Sequence, residues 1–154
     1  MNTILDAHPL PRVDDILADC AKGKILSKLD MTNSFFQTLV HPDDILLTAV
    51  TTPFGLYEWV VMPIGLKNAP PIHQCQMAAA LHEYIGRFCH VYIDDIVIWS
   101  DNLEEHEKHV DLIMFALHQL YLYLNGKKCQ FFLTELDFLG HHISTHGIEP
   151  QSSK

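Results

Sequence analysis

The run FCHVYIDDIVIWS, residues 88–100, sets two adjacent aspartates, Asp94 and Asp95, between two stretches of apolar side chains. No other segment restricts the fold as much. Each flank reads as a short strand, and the simplest arrangement is a β-hairpin with the acids at its turn. Asp-Asp is also a common signal for a solvated turn. The pair alone therefore leaves a structural and a functional reading open.

The neighbouring segments supply the rest of a sheet. PRVDDILADCA (11–21) carries Val13, Ile16, Leu17 and Cys20 at helical spacing, and Gly23 follows as a break. KILSKLDM (24–31) reads as a strand ending at Asp30. FFQTLV (35–40), ILLTAVTT (45–52) and LYEWVVMP (56–63) read as three strands parted by HPDD and PFG turns. KNAPPIHQCQMAAALHEYI (67–85) predicts a helix capped by Asn68, with prolines in its first turn. NLEEHEKHVDLIMFALHQLYLYL (102–124) gives the strongest helical pattern, with an apolar stripe of Leu103, Val110, Ile113, Leu117, Leu120 and Leu124. Its acids fall in the first turns, where the helix dipole favours them. KCQFFL (128–133) and LDFLGHHI (136–143) read as paired strands. With the three inserted strands set aside, the order β-α-β-β-α-β is that of a ferredoxin-like split βαβ sheet, an α+β fold with helices on one face.

That topology lays the end of the first strand beside the turn of the central hairpin. Asp30 then approaches Asp94 and Asp95 although it is far from them in sequence. Carboxylates converging at a strand edge repel one another unless cations neutralise them. Two Mg²⁺ ions held there suit phosphoryl or nucleotidyl transfer, one activating the attacking oxygen and the other steadying the leaving group. Asp30, taken alone as a strand-end residue, also has a purely structural reading.

Charge and composition bear on this chemistry. The 154 residues carry a formal net charge of −9, and the ten Lys and Arg form no basic run. A stand-alone nucleic-acid binder usually shows a basic stripe that replaces phosphate counterions. An apolar content of 48% is ample for a packed core. No apolar run reaches the roughly 18 residues of a membrane span, so no membrane contact is expected. The N-terminus MNTILDAHPLPRVDD does not read as a signal peptide. Cys20, Cys75, Cys89 and Cys129 are scattered without a CxxC pair, which argues for reduced thiols and an intracellular place, in a cytoplasmic particle or the nucleus. HEKH (106–109) lacks the spacing of a zinc helix and reads as a solvated helix face, and the histidines of GHHISTHG have no cysteine at ligand spacing.

The motifs also come in a telling order. KLDM, TPFGLYEWVVMPIGLKNAP, VYIDDIVIWS, LNGKKCQFF and LDFLGHHIS follow one another at sensible spacings. Together they resemble the reverse transcriptases of long-terminal-repeat retrotransposons of the Ty3/gypsy type. The resemblance runs from DAHPLPRVDDILA to FLGHHISTHGI, nearly the whole chain, and Tyr-x-Asp-Asp is its most specific element.

The resemblance implies a polymerase palm with a partial fingers insertion at about 36–62 and a primer-grip-like hairpin at 136–143. Asp30, Asp94 and Asp95 would hold two Mg²⁺ ions, with Mn²⁺ able to substitute, and the Met31 carbonyl would add a ligand. Phe35 would pack under the sugar and exclude a 2′-hydroxyl, although without the motif Phe35 and Phe36 read as core aromatics. Ile64 and Gly65 fall in the loop that supports the incoming nucleotide, where Pro63, Asn68, Ala69 and Pro70 also fit the pattern. Tyr92 would lie near the primer terminus, and Leu139 and Gly140 would grip the primer strand. Lys128 would protonate the leaving pyrophosphate, or be an exposed strand-end lysine. The implied partners are an RNA or DNA template with its primer and deoxynucleoside triphosphates.

The departures are equally specific. Ile64 stands where relatives usually have Phe, and Pro71, His73 and Cys75 replace a small residue, Phe and a basic residue. Leu47 takes a position that is usually polar or basic. None removes a carboxylate. The upstream fingers strands, the thumb, the connection and the ribonuclease H domain are absent from these residues and are expected from a longer polyprotein. Their absence accounts for the acidic balance. The alternative is a truncated, inactive retroelement relic that acts at most as a binding module.

Overall fold

The computed structural model describes residues 10–151. The first residues of DAHPLPRVDDILA and the last three of the chain lie outside them. Helix α1 (Val13–Cys20) leads into strand β1 (Ile25–Asp30). A short β2 (Val50–Thr52) and β3 (Gly55–Tyr57) precede helix α2 (Ala69–Ala80). Strands β4 (Cys89–Tyr92) and β5 (Asp95–Ser100) form the expected hairpin, and α3 (Leu103–Gln119) follows. The chain continues through β6 (Gln130–Leu133), β7 (Glu135–Phe138), β8 (His141–Ser144) and β9 (Gly147–Pro150).

The central sheet has the order β4-β5-β1-β6. All its neighbours are antiparallel. This is the split βαβ order expected from the sequence. Alternation along β1 divides the core in two. Leu29, with Ile96 and Ile98 of β5, faces Met77 of α2 and Val110, Ile113 and Leu117 of α3. Leu26, Val97 and Trp99 face the other way, against Ile16, Leu17 and Cys20 of α1 and Leu136, Phe138 and Ile143. The two long helices thus share one face, while α1 covers the other.

Gly23 closes the link between α1 and the sheet. Lys24 donates its backbone N–H to the Ser100 carbonyl at 2.9 Å, which draws the chain against Trp99. A Cβ at Gly23 would lie 2.7 Å from the Trp99 Cβ and 3.1 Å from the Ser100 backbone nitrogen. Backbone cannot yield as a side-chain tip can. Gly23→Ala is expected to cost about 1–3 kcal/mol, read as a lowered midpoint in thermal denaturation.

Three expectations change. Residues 35–63 do not form three strands: Ser34–Gln37 and Pro42–Thr48 are 3-10 helical, and only the short β2–β3 pair is a ladder. Among the described residues, beyond β2–β3 the runs meet in a single bridge, Leu39 with Val61, and they lack a surface to cover: Leu39, Leu47 and Phe54 are 78%, 81% and 90% exposed. The segments 128–133 and 136–143 do not pair with each other. The first joins β1 as the edge strand β6, and the second folds on itself as β7–β8. Finally, α3 buries His106 where its stripe was expected to begin, leaving Leu103 and Leu120 exposed. His106 is enclosed by hydroxyls: Ser27 Oγ lies 2.7 Å from Nε2 and Ser100 Oγ 2.8 Å from Nδ1. Of HEKH, His106 therefore belongs to the core and His109 is half-buried, while Glu107 and Lys108 keep the solvated face that was expected.

Candidate active site

The β1–β5 register sets Asp30 opposite Asp95, and the Met31 backbone N–H donates to the Asp94 carbonyl at 3.1 Å. Cross-strand partners project from the same face of the sheet. Asp30 and Asp95 thus share a face by backbone register alone, with Asp94 in the adjoining turn. The Asp30 peptide is held on both sides. Its carbonyl accepts from the Asn125 N–H at 2.8 Å, and its N–H points at the Cys129 thiol, 3.5 Å away.

Two lysines offset the acids. Lys28 Nζ lies 3.1 Å from Asp95 Oδ1, and Lys128 Nζ lies 3.5 Å from Asp30 Oδ1. Lys28 is on the same face of β1 as Asp30, and its ammonium stands 5.6 Å from the centre of the Phe138 ring. Burial pushes the Asp95 carboxyl above its usual range, Lys28 opposes that shift, and the charges of Asp94 and Asp30 add to it. The sign of the Asp94 and Asp30 contributions is that of a like-charge cluster.

The acids can be tested against the needs of a divalent metal. Asp30 Oδ1 is buried with no hydrogen-bond partner among the described residues, and the Lys128 ammonium meets it only as an ion pair at 3.5 Å. A buried carboxylate oxygen without a donor is costly unless a cation meets it. Among the described residues no three His, Cys, Asp or Glu side chains form a set that could hold a metal ion by themselves. Mg²⁺ commonly uses one or two carboxylates and completes its shell with water and substrate phosphate. The acids fit that open arrangement and not a closed protein cage.

Beside the acids lies a cleft of about 180 Å³ lined by Met31, Phe35, Ile64, Asp94 and Lys128, among others. Five residues singled out from separate sequence motifs thus meet on one surface. Phe35 is held in a 3-10 turn, its ring edge-on to His73 at 5.4 Å between centroids. Ile64 projects into solvent, and Gly65 beside it has φ +100°, a conformation that side chains disfavour. Tyr92, Leu139 and Gly140 do not line this cleft, although Tyr92 is the cross-strand partner of Asp95. Tyr92 and Leu139 pack against the core face shared with α1, and Leu139–Gly140 forms the two-residue turn of β7–β8.

His73 is fully buried, and among the described residues neither of its ring nitrogens has a hydrogen-bond partner. Burial lowers its pKa against the pull of Asp94. A neutral imidazole still carries one N–H, and leaving it unmet costs about 1–3 kcal/mol. His73→Phe, the side chain that the resemblance leads one to expect, is predicted to stabilise the chain by about 1 kcal/mol or more, measured by urea denaturation.

Sequence reasoning missed Lys28, Asn125 and Gln74. Lys28 follows from the period of two along β1, which puts it on the face of Asp30. Asn125 and Gln74 act on backbone groups and carry no such signal. Gln74 is 3% exposed and contacts the turn at Ile93, whose φ of +55° is unusual for a β-branched residue. Such strain typically costs about 1–3 kcal/mol.

Comparison with known proteins points in one direction. Residues 2–143 match the family model described as reverse transcriptase (RNA-dependent DNA polymerase). The retrovirus-related Pol polyprotein from transposon opus of Drosophila melanogaster is 38% identical over 152 residues, covering 99% of this chain and 15% of that polyprotein. The enzymatic polyprotein of cauliflower mosaic virus (strain NY8153) is 41% identical over 149 residues, 97% of this chain and 22% of that protein. The chain thus spans well under a third of the length of these curated relatives. Among solved structures, the foamy viral protease-reverse transcriptase in complex with RNA/DNA hybrid superposes with a TM-score of 0.88 at 25% identity, over 97% of this chain and 20% of that one. The same viral protein in complex with dsDNA gives 0.87 at 25% identity, over 97% of this chain and 31% of that one.

Proposed function

This chain belongs to the reverse transcriptase (RNA-dependent DNA polymerase) family, and from that premise we propose that it carries the palm centre for template-directed DNA synthesis. The observation that carries the reading is the Asp30–Asp95 register pair with Asp94 in the adjoining turn. We place the chain with the Ty3/gypsy-type elements, a reading supported by the ordered motifs and by the Drosophila transposon relatives opus, 297 and gypsy. We assign residues of about 36–62 to partial fingers and 136–143 to a primer-grip hairpin.

In the proposed reaction the primer 3′-hydroxyl gives up its proton to solvent, its oxygen attacks the α-phosphorus of a deoxynucleoside triphosphate, the bond to the bridging oxygen breaks, and pyrophosphate leaves. A pair of Mg²⁺ ions would lower the pKa of the 3′-hydroxyl and neutralise charge on the pyrophosphate. Asp30 and Asp94 would hold these ions, Asp30 through Oδ1 once its ion pair with Lys128 loosens. Asp95 is shared with Lys28, so its part requires that ion pair to loosen. Lys128, next to Asp30 at the cleft rim, is placed to give a proton to the departing pyrophosphate. Phe35, backed by His73, would present a flat ring to the sugar. Ile64 and Gly65 would flank the triphosphate. Tyr92, Leu139 and Gly140, on the other side of the carboxylates, would meet the primer.

The test is extension of a DNA primer on an RNA template with Mg²⁺ or Mn²⁺, beside a ribonucleotide control. Metal-dependent extension with deoxynucleotides is the expected result. A folded chain that extends nothing, alone and joined to the flanking segments of a relative, would overturn the reading. A truncated inactive relic remains the alternative; the relatives do not favour it, and all three carboxylates are present.

A further inference from the structure

Strand β4 lies at the edge of the central sheet, so among the described residues one side of its backbone has no strand neighbour. In an extended strand, the carbonyl of one residue and the N–H two residues later point the same way. Gln74 of α2 meets that pair with its side-chain amide. Its Nε2 donates to the Val91 carbonyl at 3.1 Å, and its Oε1 accepts the Ile93 N–H at 2.7 Å. One primary amide thus does the work of one peptide group of a missing strand. The orientation of the amide is fixed, because a backbone carbonyl can only accept and a backbone N–H can only donate.

The two backbone groups flank Tyr92, the last β4 residue paired to β5, opposite Asp95. Beyond that pair the chain must reverse, and Ile93 adopts φ +55° to do so. For a β-branched side chain this conformation is held only when its surroundings determine it. The Ile93 N–H is fastened to Gln74, and the next residue presents its carbonyl to the Met31 N–H. Gln74 is itself 3% exposed and anchored in a helix that packs on the sheet, so the fastening point is rigid.

We propose that Gln74 is a positioning residue: its amide clamps the Ile93 turn in the left-handed conformation and thereby fixes Asp94 for metal binding. This rests on the polymerase reading for its consequence, but the clamp itself can be measured without metal. Gln74 touches no substrate and acts through the turn alone.

The test uses the full chain and two readouts. In the metal-free protein, Gln74→Met is expected to speed exchange of the Ile93 amide at least about 10-fold while leaving the Val97 amide unchanged. In Mn²⁺ titrations followed by electron paramagnetic resonance, the same variant is expected to weaken binding about 10–100-fold, as loss of outer-shell partners does. Adding Ile93→Asn, which tolerates the left-handed conformation, should recover part of that affinity. Simple loss of core packing would not be rescued this way. Unchanged Ile93 exchange in Gln74→Met would overturn the clamp. Faster exchange with unchanged Mn²⁺ affinity would overturn the link from clamp to carboxylates. A wild-type chain that binds no Mn²⁺ would overturn the polymerase reading and that link together, with the exchange data still deciding the clamp.

Discussion

Asp94→Asn is expected to abolish primer extension, lowering it by at least about 10³-fold, the scale seen when a principal source of transition-state charge stabilisation is removed. The same change should act on stability with the opposite sign. In the metal-free chain Asp94 and Asp30 both push the Asp95 carboxyl up, the mark of mutual repulsion. Removing one charge relieves it, so the variant should melt slightly higher than wild type in the presence of a chelator. Wild type should gain stability on adding Mg²⁺, by about 2.7 kcal/mol at a hundred times the dissociation constant. The variant should gain little. Thermal scans with and without Mg²⁺ on both proteins measure the crossing. If Asp94→Asn keeps the Mg²⁺-dependent gain, Asp94 is not a metal ligand.

A second large effect is expected on acidification. His106 is fully buried, and burial, aided by the nearby charge of His109, holds its pKa at about 4 against an ordinary 6.5. A proton therefore binds the unfolded chain more readily than the folded one between those two values. Stability from this group is complete above pH 6.5, falls as the pH drops toward 4, and loses no more below that. The full loss is about 3 kcal/mol, with about 2 kcal/mol gone by pH 5. Burial also lowers the His109 pKa, while Glu105 opposes it, and His109 Nδ1 shares the Ser100 hydroxyl at 2.8 Å. Urea titrations at pH 7 and pH 5 should show the loss, and His106→Gln should remove the His106 share of it. An equal pH dependence in the variant would place the acid sensitivity elsewhere.

The reach of sequence reading was uneven for physical reasons. The β4–β5 hairpin and β1 were legible because short apolar runs with a buried face leave few alternatives to a strand. Residues 35–63 were not, because Leu39, Leu47 and Phe54 supply strand-like composition without a surface to cover. Composition reports what a side chain prefers, and among the described residues these three stay exposed. The β7–β8 turn was hidden for a different reason. Leu139 has φ +49° and Gly140 φ +77°, the pattern usually written Asn-Gly, so a leucine disguises the first position. His106 was misjudged because an imidazole counts as polar in a helical pattern, yet here serine hydroxyls satisfy it. At the site, the identities of the acids were readable and their mutual placement followed from topology. Of the supports, Lys28 follows from the period of two along β1, whereas Asn125 and Gln74 act on partners in other elements and leave no pattern.

The pairing of Asp30 with Asp95 also limits how such a centre can change over generations. Strand register moves only in whole residues, and each one-residue slip turns every side chain to the opposite face. A slip of β1 against β5 would turn Leu29 toward the acids and Asp30 toward α2 and α3. No intermediate spacing is available between a working arrangement and an inverted one. Point substitutions can accumulate around the centre, as the Ile64 and His73 departures illustrate. A single-residue insertion or deletion within β1 or in the turn between β4 and β5 would disrupt it in one step. Length is therefore expected to be the most strictly kept property of these segments among functioning copies, more so than the identity of any apolar residue within them.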